Sequence, residues 1–307
     1  MLQKMRKAHK NKKKLQDENL SDDERLNTRP ILLIMLGMCS TENEIYIQNT
    51  VREAWSKGYH PVLLQYRGQS GIEMTSPLLY GCGQYEDVIQ AVNYIHDEYC
   101  REIDRKLFAL GFSMGGNWLG MALCKDRRGL ADKITASACM QCPTKVRQSY
   151  HNLKSAWGGF INWALGVRFS KIIKANLEYL QPVYKQLYNF DLQDFIYNLK
   201  GIHQFDDDLN WKLYNCASLE EYHHKYSCAT YMERIKVPTM FYYTEDDPII
   251  NRGCIEFEKG MKNDNILICS TDYGAHLCSY EHFFKIDQWI HKPAFEFFDY
   301  FKKNHIS

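Results

Sequence analysis

Between residues 30 and 143, short apolar runs alternate with stretches whose apolar positions recur every three or four residues. Pro30 is followed by "ILLIML" (Ile31–Leu36), a strand pattern. "NEIYIQNTVREAWSKG" then reads as a helix closed by Gly58. "HPVLLQY" (His60–Tyr66) predicts a second strand, ending in the glycine-punctuated loop "RGQSG". From Glu86 to Tyr99, Val88, Ile89, Val92, Ile95 and His96 fall on one side of a helix. "KLFALGF" (Lys106–Phe112) and "KITASACM" (Lys133–Met140) read as strands, with "NWLGMALCK" as the helix between them. Such alternation predicts an α/β fold, a mostly parallel sheet with helices on both faces.

The alternation stops from about Thr144 to Glu233. "WGGFINWALGVRF" and "NLEYLQPVYKQLY" are aromatic and helical in pattern, and they read as an inserted helical cap. Strands resume with "VPTMFYYT" (Val237–Thr244) and "NILICST" (Asn265–Thr271). A last helix over Lys292 to Phe301 places Phe295, Phe298 and Phe301 on one side. The expected organisation is a charged arm (1–29), a core in two pieces (30–143 and 234–307) and a cap (144–233).

Composition narrows the partners. A formal net charge of +1 over 307 residues gives no global field for nucleic acid. Aromatic residues make up 14 %, enough to suggest apolar surface beyond a minimal core. No apolar run is long enough to span a membrane and no signal peptide precedes the 11 cysteines, so a reduced, cytoplasmic chain is expected, free or on the cytosolic face of a membrane. The Lys-rich "KMRKAHKNKKK" reads as a solvated tail; with the aromatic cap, it is a candidate for peripheral membrane contact. Cys139 and Cys142 form one CxxC pair without a second at zinc-like spacing, so no metal site is expected. No cofactor is expected, and oligomeric state stays open.

The chemistry concentrates at "LFALGFSMGGNWLGMAL" (Leu107–Leu123). A serine hydroxyl is a weak nucleophile at neutral pH and needs a base, itself oriented by an acid. G-x-S-x-G between a strand and a helix sets such a hydroxyl on a sharp turn, which nominates Ser113. The acid and histidine should follow later strands, in that order. "FYYTEDDPII" supplies Asp247, before Pro248, with Asp246 as the runner-up. "CSTDYGAHLCSYE" supplies His276 after the last strand. The oxyanion needs backbone N–H donors, assigned to Met114 and to Met38 in "MLGMCSTENE". Arg67 is expected to fix its loop by an ion pair in preference to positioning substrate. The triplet in "QFDDDL" (Gln204–Leu209) is expected to be a solvated or helix-capping run.

These residues resemble the AB-hydrolase-4 group of the α/β-hydrolase superfamily over about Ile31 to Phe301. The matching stretches are "LGMCSTENEIYIQNTVREAWSKGY", "LQYRGQSG", "YGCGQYEDVIQAVNYIH" leading into "FALGFSMGGN", "FDDDLNWKLYNCASLEEYHHKYS" and "GAHLCSYE" with "DQWIHKPAFEFF". The resemblance implies an α/β-hydrolase fold, a Ser113–Asp247–His276 triad, and hydrolysis or transfer of acyl groups of lipids. The substrates it implies are medium-chain esters, monoacylglycerols or phospholipids. The sequence departs from the family pattern at Leu36, Ala275 and Cys278, which bears on the oxyanion details. The family also carries a membrane-anchoring segment and a strand pair before the position of Ile31, where a charged arm stands here. A shortened protein or an incomplete gene model is therefore expected, leaving the His60–Tyr66 strand at an open edge. The competing expectation is a hydrolase-fold protein that binds without turnover.

Overall fold

The computed structural model describes residues 28–79, 81–282, 284 and 286–303; the arm expected at 1–29 lies outside them except for Thr28 and Arg29. Among the described residues, six strands form one sheet: β1 (Ile31–Met35), β2 (His60–Leu64), β3 (Leu107–Phe112), β4 (Ala136–Met140), β5 (Thr239–Thr244) and β6 (Ile266–Thr271). Their order is β2-β1-β3-β4-β5-β6, and every neighbouring pair is parallel. The four inner strands are buried along their whole length, whereas β2 and β6, at the edges, are partly exposed. That is why the inner strands read as unbroken apolar runs. The first hydrogen-bonded residue of β5 follows Pro238, which has no N–H to give the ladder.

Helices cover both faces. Along β3 the side chains alternate. Phe108 meets Phe298 of α10 (Lys292–Lys303) at a ring separation of 5.2 Å, and Phe112 meets Tyr46 of α1 (Ile45–Ser56) at 5.0 Å. On the opposite face, Gly111 lies against Gly115 and Gly116 of α3 (Met114–Lys125). Helix α2 (Tyr85–Tyr99) packs beside α3 through Val88, Ile89, Val92 and Ile95, with His96 only half-buried at the rim. Gly58 ends α1 with φ +75°, a conformation that costs other residues more. Phe295, Phe298 and Phe301 are all buried by α10 against the sheet.

Between β4 and β5 the described residues form helices and turns. They include α4 (Val146–Ser155), α5 (Phe160–Ala175), α6 (Leu177–Tyr188), α7 (Leu192–Asn198), short helical pieces over 203–213, and α8 (Leu219–Lys225). A short helix, α9 (Phe257–Met261), then links β5 to β6. Among the described residues no helix is long and apolar enough to cross a membrane.

Candidate active site

The residues nominated for chemistry come from the carboxyl ends of β1, β3, β5 and β6, where an open parallel sheet leaves a crevice. Ser113 sits between β3 and α3 with φ 52° and ψ −121°, far from the usual wells for a side-chain-bearing residue. The turn is held by the Ser113 N–H donating to Met140 O at 2.8 Å, and by Gly116 and Asn117 N–H donating back to Ser113 O. The flanking glycines are required: a Cβ on Gly111 would strike the Gly115 carbonyl, and one on Gly115 would strike the Leu36 carbonyl. The helix therefore starts at Met114 rather than Asn117, because both glycines of "SMGG" lie inside its first turn.

Ser113 Oγ lies 3.0 Å from His276 Nε2, and His276 Nδ1 lies 2.7 Å from Asp247 Oδ2. The other Asp247 oxygen accepts the Ile249 and Ile250 N–H groups at 2.7 and 2.9 Å. Burial of this carboxyl favours its neutral form. The adjacent His276 and these two N–H groups outweigh that effect and hold it below its ordinary value. Asp246, the sequence runner-up, faces elsewhere: its oxygens accept the N–H groups of Gly274 and Ala275 and so pin the histidine loop. Within that loop Ala275 and Leu277, on either side of His276, both take positive φ.

Met38 and Met114 line the same cavity as Ser113 and His276. Met114 opens α3, so its N–H has no preceding turn to donate to. In the loop after β1, the Gly37 N–H donates to Tyr46 Oη at 3.0 Å, while the next N–H, of Met38, meets no acceptor among the described residues. Tyr66 Oη donates to the Leu36 carbonyl. Two tyrosines thus brace the loop; burial pushes the Tyr46 phenol up to about 12, so it stays protonated.

Sequence reasoning missed both tyrosines, along with Gln141. The Gln141 amide donates to Thr244 Oγ1 (2.8 Å) and Ala275 O (2.6 Å) and accepts from Thr244 N–H (3.0 Å), tying β4, β5 and the histidine loop together. A weak signal existed for Tyr46, an aromatic nine residues beyond the loop glycine. None existed for Gln141, whose partners lie more than 100 positions away. Arg67 fixes its loop, as expected, by a bidentate pair to Asp87 and a hydrogen bond to Ser76.

The expectation for the acidic triplet holds for Asp208, which is exposed, and fails for the other two. Asp206 and Asp207 are half-buried in a π-helical turn, because His223, Asn210 and Tyr150 bring them donors. Asp206 accepts from Asn210 (2.6 Å) and pairs with the fully buried His223 (3.1 Å), and Asp207 accepts the Tyr150 hydroxyl. Asp206, Asn210 and Tyr150 line the cavity that Ser113 opens into.

That cavity holds about 310 Å³. Helix α4 contributes Val146 and Leu153 to its wall and α5 contributes Ile161, Leu165 and Phe169, so most of the wall beyond the serine is apolar. Among the described residues no group of three or more His, Cys, Asp or Glu is disposed to hold a metal ion. Cys139 and Cys142 are free, buried thiols, and burial pushes Cys142 well above its ordinary value.

No family model matches the chain. It is similar to a zebrafish (Danio rerio) monoacylglycerol lipase, ABHD2, at 27 % identity over 261 residues, covering 81 % of this chain and 58 % of the relative. It is similar also to a Saccharomyces cerevisiae monoacylglycerol lipase, at 26 % over 268 residues, covering 83 % and 57 %. The chain thus spans somewhat more than half the length of the curated relatives it matches. Among solved structures, the Pyrococcus furiosus esterase Pf2001 superposes with a TM-score of 0.54 at 15 % identity, covering 90 % of this chain and 84 % of the esterase.

Proposed function

The fold is that of an α/β-hydrolase, and on that premise we propose that the chain is a serine carboxylic ester hydrolase acting on acyl esters of lipids, through an acyl-enzyme intermediate. The observation that carries the reading is the continuous hydrogen-bonded line Ser113–His276–Asp247 at the mouth of a largely apolar cavity. Ser113 attacks the ester carbonyl while His276 Nε2 takes its proton. Asp247 keeps the proton on Nδ1 and stabilises the imidazolium. The N–H groups of Met38 and Met114 receive the oxyanion. His276 then protonates the departing alcohol, and water repeats the cycle on the acyl-enzyme. An alcohol in place of that water gives acyl transfer.

A lipid acyl group suits the walls. The volume falls in the range of pockets that enclose small ligands, and Ile161, Leu165 and Phe169 offer an acyl chain no hydrogen bonds to lose. The relatives named as monoacylglycerol lipases point the same way. In this reading the helices of 144–233 act as the cap over the core. Buried thiols such as Cys139, Cys142 and Cys254 fit a reducing compartment.

A fluorophosphonate probe tests the nucleophile. Labelling of the wild type and none of Ser113→Ala is expected, with ester hydrolysis falling on the order of 10⁶-fold in the variant. A folded wild type that takes no label would make this a binding protein instead. Lipid profiling of cells expressing each form then identifies the ester: monoacylglycerol or phospholipid species should fall only with the active serine, and an unchanged lipidome would remove the lipid assignment.

A further inference from the structure

Helix α5 has two working faces. One lines the cavity through Ile161, Leu165 and Phe169. The other carries Phe160, Trp163, Val167, Lys171 and Lys174, spaced 3, 4, 4 and 3 residues apart, so all five fall in one stripe. Phe160 is 58 % exposed, Trp163 52 % and Val167 40 %, and the two rings lie 5.7 Å apart. Just ahead of the helix stands Trp157, 70 % exposed and held at φ 50°, ψ 47°, followed by two glycines of positive φ. A bulky side chain at positive φ is strained, so this corner presents an indole to solvent at a conformational cost.

The charged residues of the segment that carries the stripe are all of one sign. No Asp or Glu occurs between Asp132 and Glu178. Lys145, Lys154 and Arg168 meet the carboxylates of Glu256, Asp207 and Glu44 from elsewhere in the chain. Arg147, Lys171 and Lys174 are exposed and meet no carboxylate among the described residues. A second copy of the chain would bring the same lysines against themselves about a two-fold axis, which is repulsive. A surface of negative charge over hydrocarbon complements the stripe at both ends: aromatic rings enter the interface and the lysines reach phosphate oxygens.

We propose that this face of α5, with Trp157 at its leading corner, docks on an anionic lipid surface. The proposal deepens the reading above, because the opposite face of the same helix lines the cavity into which a lipid ester would pass.

The test uses the full chain and vesicles of phosphatidylcholine, alone or with phosphatidylserine, some with brominated acyl chains. Binding should be stronger to the anionic vesicles and fall with salt. Brominated lipid should quench tryptophan emission. In Trp157→Phe/Trp163→Phe the binding should persist and most of that quenching disappear; the basic arm has no tryptophan and cannot produce this signal. In Phe160→Glu/Trp163→Glu the partition coefficient should drop by about tenfold or more. Turnover of a soluble short-chain ester should be unchanged in both variants, since none of these residues lines the cavity. Equal binding of the Glu variant and the wild type, quenching that survives the Phe variant, or a dimer that the Glu variant dissociates would each overturn the proposal. Vesicle docking with no hydrolysis of any ester would instead leave the docking intact and remove the ester-hydrolase reading.

Discussion

Ser113 and Phe169 line the same cavity, but the molecule holds them by different means. On the sheet side, Ser113, Asp247 and His276 stand on short turns whose backbone groups are accounted for one by one: Ser113 N–H on Met140, Ile249 and Ile250 N–H on Asp247, Gly274 and Ala275 N–H on Asp246. On the helical side, Val146, Leu153, Ile161, Leu165 and Phe169 are held by apolar packing, with polar knots such as Asp206 with His223 and Asn162 with His203. On the proposed reading, the difference follows from what each side would have to do. Proton transfer and attack depend on distances set to a fraction of an ångström, which only directional bonds enforce. Enclosing an acyl chain needs volume and apolarity, which many packings supply.

If that contrast is right, single-atom changes on the sheet side should cost far more activity than on the helical side. The largest effect after loss of the serine belongs to Asp247→Asn, which leaves His276 in the wrong tautomer; kcat for a soluble ester should fall about 10⁴-fold. Asp246→Asn should cost much less, because it removes only a loop contact, and comparable losses in the two variants would break the assignment. Gly115→Ala drives a methyl into the Leu36 carbonyl. Chemical denaturation should show a loss of about 1–3 kcal/mol, together with lower kcat. Tyr46→Phe leaves the Gly37 N–H without its acceptor. It should lower stability by about 1 kcal/mol and lower kcat more than it shifts KM, as a brace of the loop proposed to receive the oxyanion.

A last effect is a matter of pH and reads on stability, not on rate. His291, 3 % exposed at the start of α10, is held by burial at about 4, so the folded protein resists its protonation while the unfolded chain does not. The stability this confers is complete above about pH 6.5 and is lost as pH falls toward 4, on the order of 3 kcal/mol. Asp247, held low, adds its own loss only below the ordinary carboxylate range. Thermal melting of His291→Leu should show a shallower first slope, since burial also holds His60 and His203 low, and should keep the second; a wild-type melting curve flat between pH 6.5 and 4.5 would discard this account.

The strands were legible because each inner strand is buried on both faces and so must be apolar throughout. The serine was legible because an elbow between strand and helix admits few residues: Gly111 and Gly115 each face a backbone carbonyl. Asp206 and Asp207 of the acidic triplet were misread for the opposite reason. Their donors, Tyr150 and His223, come from 57 and 17 positions away, and no local pattern marks a carboxylate as their acceptor. Gln141 escaped notice for the same cause, since a lone amide at a strand end acquires meaning only when β5 and the histidine loop arrive beside it.

By itself, the sequence determined the order and type of the elements, and which serine, histidine and pair of aspartates follow which strands. These follow from local rules: periodicity, turn chemistry and the absence of room for a side chain. Only the tertiary structure decided between Asp246 and Asp247. Neighbours in the chain point to opposite purposes there, an oxygen of Asp247 reaching an imidazole and both oxygens of Asp246 a backbone loop. It also decided that one helix would carry Leu165 into the cavity and Trp163 out to solvent, because the direction of a side chain depends on what the rest of the fold leaves uncovered.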